Sequence, residues 1–138
     1  MADVTVTAAD VRPLPGAIVR RFTAGGSINA GEPVYVNAAD AVSQADGSAV
    51  STSFAIGVMV ATGPSASSRT IAASGDPVDV VLFGPVAGYS TNMAAGTVFY
   101  VDDDAGVIAD AAGTKDTIIG IGLSTSVMLV HPQIIDLS

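Results

Sequence analysis

Cysteine is absent from this chain, and so is tryptophan. Without a thiol there is no disulfide, no thiolate nucleophile and no cysteine-bearing zinc site. Histidine occurs once, at His131, on the end of an apolar run and directly before Pro132. A lone imidazole with no partner nearby reads as a strand-end residue rather than a general base. No G-x-S-x-G elbow occurs, and Lys115 follows Thr114 rather than the glycine of a phosphate-binding loop. These gaps predict a protein that is not an enzyme and that carries no cofactor and no metal.

Basic residues are scarce: five against 13 acids, for a net charge of −8. Nucleic acid is excluded as a partner, because its phosphates require lysine and arginine. Aromatic residues make up 5% of the chain and form no cluster that could serve as a sugar-binding platform. No apolar run reaches the roughly 18 residues that span a bilayer. The greasiest stretch, residues 78–89, is broken by Asp79, Gly84, Pro85 and Gly88, so no membrane partner is expected. The first residues also lack the basic-then-apolar order of a secretory signal. Charged residues are only 13% of the total, against about 25% in an average domain. Such a surface is either paved with small neutral residues or buried against other subunits, since interface centres lose charge.

What the chain does contain is one pattern spelled twice. Ala30-Gly31-Glu32-Pro33-Val34-Tyr35-Val36 reappears loosely as Ala95-Gly96-Thr97-Val98-Phe99-Tyr100-Val101, a shift of 65 residues. Ile56-Gly57-Val58 resembles Ile119-Gly120-Ile121 at a shift of 63. Each copy reads as glycine turn, strand, loop, strand. The duplication therefore spans residues 30–60 and 95–123.

Strand signals recur throughout at the spacing of sandwiches and barrels. They fall at residues 17–22, 33–37, 54–60, 69–72, 78–83 and 86–89. In the second half they fall at 97–101, 107–108, 118–123, 127–131 and 134–135. Asp46-Gly47 predicts a hairpin turn, Gly63-Pro64 a strand end, and residues 65–68 a serine-rich loop. The only helical turn with a claim falls near residues 90–95. The expected fold is all-β: a compact antiparallel barrel or sandwich, jelly-roll-like or another Greek key. It occupies residues 17–138 behind an extended N-terminal arm, residues 1–16.

Basic charge gathers in this arm and the strand that follows it, within the first 21 residues. Arg12, Arg20 and Arg21 are three of the five basic residues. Pro13 and Pro15 bracket Leu14 and resist both helix and central strand. Arg12, Pro13, Leu14, Pro15, Arg20, Arg21 and Phe22 are accordingly the interface candidates; the alternative is a solvated strand face. Asp102-Asp103-Asp104 reads as a solvated turn, or as a weak calcium site without the alternation of a calcium loop.

One resemblance adds to this reading. The string Gly75-Asp76-Pro77-Val78-Asp79-Val80-Val81-Leu82-Phe83-Gly84-Pro85-Val86-Ala87-Gly88 is similar to a signature of small capsid decoration, or cement, proteins of tailed bacteriophages. Residues 94–101, Ile119-Gly120-Ile121-Gly122-Leu123 and Val127-Met128-Leu129-Val130 fit the same pattern, so the likeness covers roughly residues 24–131. It implies an all-β homo-dimer or homo-trimer, made in the bacterial host cytoplasm. That assembly would sit on the outer capsid surface of the virion against the major capsid protein. A phage tail or fibre component and a carbohydrate-binding β module are the rival expectations.

Overall fold

A computed structural model describes residues 2–62 and 70–136. The strand end at Gly63-Pro64, the serine-rich loop and the Arg69 end of one expected strand lie outside the described residues. Elements follow in the order β1 (Arg12–Pro13), β2 (Ile18–Ala24), β3 (Ile28–Asn29), β4 (Pro33–Ala38), β5 (Ala41–Gln44) and α1 (Val50–Ser53). The chain continues through β6 (Ala55–Thr62), β7 (Ile71–Ala72), β8 (Pro77–Ala87), β9 (Val98–Val101), β10 (Ile108–Ala109), β11 (Asp116–Gly122) and β12 (Val127–Asp136).

Five strands close a barrel in the order β8-β2-β5-β4-β6, with β6 returning to β8. Its core is mostly valine: Val34, Val42, Val58, Val78, Val80 and Val81 are fully buried. β-Branched side chains pack well on a pleated surface, and burying each contributes about 1.5–3 kcal/mol. The sequence predicts antiparallel pairing throughout, but β2 and β5 run parallel, with Thr23 opposite Ala41 and Ala24 opposite Val42. The reason is arithmetic: an odd number of strands cannot alternate direction all the way round a closed ring.

The duplication is carried into the pairing register. Pro33 faces Val58 and Val34 faces Gly57 across β4 and β6, and after one skipped residue Tyr35 faces Ala55. Across β9 and β11, Val98 faces Ile121 and Phe99 faces Gly120, and after one skipped residue Tyr100 faces Ile118. Even the bulge falls at the same place, leaving Ile56 and Ile119 unpaired in turn. On the far side, β6 pairs β8 (Val58 with Val81) as β11 pairs β12 (Ile121 with Leu129). A second unit, β10-β9-β11-β12, is thus built on the plan of the barrel. The two share the long strand β8, whose first part pairs β2 and β6 and whose last part pairs β1 and β12. Gly84 marks the change of partners: its φ is +120°, and an added Cβ would sit against the backbone of Ala17.

The leading segment lies along its own domain. Val4 donates its N–H to the carbonyl of Ile108 at 2.8 Å, and Thr7 donates to Gly88 at 2.8 Å. Ser90 donates to the carbonyl of Thr5 at 2.9 Å. Residues 2–7 therefore form an extended rung between β10 and the segment that follows β8, with Val4 buried. Two local expectations give way to side-chain chemistry. Asp46-Gly47 opens α1 rather than a hairpin, because the Asp46 carboxylate accepts from the Ser48 backbone at 3.0 Å, the Ser48 hydroxyl and Thr52. The turn near residues 90–95 is not helical, because Asn92 takes φ +68°, outside the helical range.

Candidate functional site

From Arg12 to Arg21 no residue is buried; only Leu14 and Ala17 are even half-covered. Two short strands on the same edge of β8 present this ribbon, with Arg12 opposite Ala87 and Ile18 opposite Phe83. The candidates Arg12, Pro13, Leu14 and Pro15 lie along it, as do Arg20 and Arg21. Phe22 does not: its side chain turns inward and the residue is 5% exposed.

Both strand arginines are already paired within the chain. The Arg20 guanidinium donates to the Asp40 carboxylate at 2.7 Å and stacks over the Phe22 ring, 4.6 Å from its centroid. Arg21 donates to Asp79 at 3.0 Å. That hydrogen bond, more than the opposite charge itself, raises the affinity of Arg21 for its proton. Exposed pairs of this kind bind weakly and exchange partners readily. Arg12 donates to the Asp10 carbonyl at 3.3 Å.

The surface continues past the expected residues. Ile18 is 59% exposed, and Val19 and Phe83 are also open to solvent. Phe83 stands edge-on to His131, with ring centroids 5.3 Å apart. Beyond His131 on the same strand, Ile134 and Ile135 are exposed too. In the sequence His131 reads as a strand-end residue with Pro132 stopping the strand and Ile134-Ile135 as a separate short strand, whereas β12 runs unbroken from Val127 to Asp136. The signal that could have found this surface is the unbroken run Ala17-Ile18-Val19 beside two arginines. Next to it, Arg20, Phe22, Val36, Ile56, Leu82 and Pro132 line an open cavity of 440 Å³ at the barrel mouth.

The acidic turn has a different role. The Asp103 carboxylate accepts the Thr114 backbone N–H at 2.7 Å and the Thr114 hydroxyl at 2.6 Å. These bonds, the hydroxyl first, hold its carboxyl below the usual aspartate range. Asp102 is buried, and its backbone carbonyl accepts from Gly47 at 2.6 Å. The run of acids ties two loops together, and among the described residues no three acids or histidines converge on a point where a metal could sit.

Geometry thus defines a small mixed β-barrel with a second unit fused through one strand and an exposed apolar surface where β2, β8 and β12 meet. No family model matches the chain, and no curated protein matches its sequence at a significant level.

Proposed function

We propose that this protein is a structural subunit of a virus particle: a capsid decoration protein that binds the outside of an icosahedral phage head and bridges its major capsid subunits. The observation that carries this reading is the exposed ribbon from Arg12 to Arg21, continued by Phe83 and His131. Its apolar members, Pro13, Pro15, Ile18 and Val19, lie beside Arg20 and Arg21, each paired with an aspartate of the same chain. An apolar centre with a polar rim is the anatomy of a protein–protein contact. The sequence likeness to decoration proteins points to a shell as that partner. Each contact is modest, but many copies on one particle multiply its effect.

The test is to mix the purified chain with phage heads stripped of decoration and to measure particle composition by mass. Near one copy per major capsid subunit is expected. Val19→Asp, at an exposed position, should weaken occupancy roughly tenfold, equivalent to ~1.4 kcal/mol per site, with no loss of folded stability. A chain that never sediments with any head ends this reading.

A further inference from the structure

Strand β2 is paired along the whole of one side and only the end of the other. It meets β8 from Ile18 to Thr23, whereas β5 reaches only Thr23 and Ala24. The β4–β5 hairpin turns at residues 39–40, level with Thr23, whose N–H donates to the Asp40 carbonyl at 2.9 Å. That bond fixes which groups the open stretch presents. Along an antiparallel pair, successive residues turn their N–H and C=O alternately toward the partner strand and away from it. Thr23 turns its N–H away from β8, so Arg21 and Val19 do the same. Among the described residues no strand pairs with them on that side. An unpaired edge bearing exposed isoleucine and valine, Ile18 and Val19, is a template for another chain.

The second unit shows what this place holds when it is filled. Val58 pairs Val81 as Ile121 pairs Leu129, so Val80 corresponds to Met128 and Asp79 to Val127. Arg20, opposite Val80, therefore corresponds to Val86, opposite Met128. Arg21, opposite Asp79, corresponds to Ala87, opposite Val127. Val86 and Ala87 have a strand on both sides: β12 on one, and Pro13 and Arg12 of β1, antiparallel, on the other. Leu14 extends that cover by donating its N–H to the Pro85 carbonyl at 2.9 Å. The chain's own leading segment thus lies, extended, along the edge whose counterpart on β2 is bare.

We infer that the bare edge of β2, residues 18–22, is completed by an extended segment of the partner protein, which adds to it as an antiparallel strand. Conformation and direction follow from the counterpart edge, where β1 is extended and antiparallel. Main-chain hydrogen bonds to Val19 and Arg21 hold the segment whatever its sequence, as in other cases of strand addition. One of its side chains is specified as well. Arg20 and Phe22 line a hollow of 440 Å³ whose other walls, Val36, Ile56, Leu82 and Pro132, are apolar. The segment therefore places an apolar side chain over that hollow. The chain's own leading segment is not the occupant, because it is engaged along β8. The inference rests on the proposed function for the identity of the partner, a shell protein, and specifies how that partner is gripped.

The test uses the full chain, free and bound to phage heads stripped of decoration, with amide exchange read residue by residue. In the free chain Arg20 and Phe22, which face β8, exchange slowly, and Val19 and Arg21 exchange fast. On heads, exchange at Val19 and Arg21 is expected to slow by about tenfold or more. Val19→Pro deletes one edge N–H without removing a bond to β8, at a kind of position where strands tolerate proline. It should lower head occupancy roughly tenfold, with circular dichroism establishing that it is folded. Heads that bind the chain while Val19 and Arg21 still exchange fast overturn the inference and leave the decoration reading in place. Slow exchange at both residues in the free chain also overturns it, since the edge is then filled by a second copy. A chain that binds no head overturns both readings together.

Discussion

Tyr89 shows how much a single side chain contributes here. Its hydroxyl donates to the carbonyl of Gly31 at 3.1 Å, joining the end of β8 to the start of the first repeat. Burial pushes its phenol well above the ordinary tyrosine range. The folded state thus keeps this proton when the unfolded chain gives it up. The stabilisation is complete below about pH 10, the unfolded value, and is lost as pH rises through the raised folded value. Tyr89→Phe should cost about 1 kcal/mol at neutral pH and flatten the alkaline side of the stability profile, read by denaturant melts at rising pH. Gly57 and Gly120 make a matched pair of a different kind. A Cβ on Gly57 would strike the carbonyl oxygen of Val81, and one on Gly120 that of Leu129. Either Gly→Ala change forces neighbouring strands apart and should destabilise by about 1–3 kcal/mol in a thermal or urea melt. These two glycines were legible in the sequence as one repeated motif. The inward turn of Phe22 was not, because the run Arg20-Arg21-Phe22 does not reveal which face of its strand meets the core.

At the scale of elements, local patterns were read well and distant partners poorly. The apolar alternation placed β4, β6, β9, β11 and the first half of β12, because period-two patterning is written into consecutive residues; β8 was expected as two strands broken at Gly84-Pro85, but it runs unbroken from Pro77 to Ala87. The parallel pair of β2 with β5 could not be read, since closure of the ring joins residues far apart in sequence. The leading segment was expected as an arm, but nothing within residues 1–16 names the strand it meets. In the structure, residues 2–7 bond to β10 on one side and to residues 88–91 on the other. Deleting residues 2–7 should therefore do more than trim a tail. It exposes two strand edges and the apolar surface under Val4, whose burial alone contributes about 1.5–3 kcal/mol. The expected outcome is a lower melting temperature together with fast amide exchange at Asp110 and Ser90, whose N–H groups donate to the carbonyls of Ala2 and Thr5. Unchanged exchange there would mean that the rung contributes nothing to the second unit.

For the whole molecule, sparse charge is the property that decides behaviour. A surface with few ionised groups was legible from composition; where its apolar part gathers was not, because Ile18, Phe83 and His131 meet only after β2, β8 and β12 have come together. Two forces then compete when copies meet. Net repulsion from −8 on each chain opposes contact and is screened by salt, over a length that falls from roughly 30 Å at 0.01 M to 3 Å at 1 M. The ion pairs of Arg20 and Arg21 are screened as well, but each contributes little when exposed. Burial of exposed apolar side chains such as Ile18, Val19 and Phe83 is not weakened by salt, and strongly excluded anions such as sulfate strengthen it. Self-association should therefore tighten as salt rises, and sulfate should favour it more than chloride at equal ionic strength. Sedimentation across that range checks the sign. Association that falls steadily with salt would place the driving force in the arginine–aspartate pairs instead of the apolar surface.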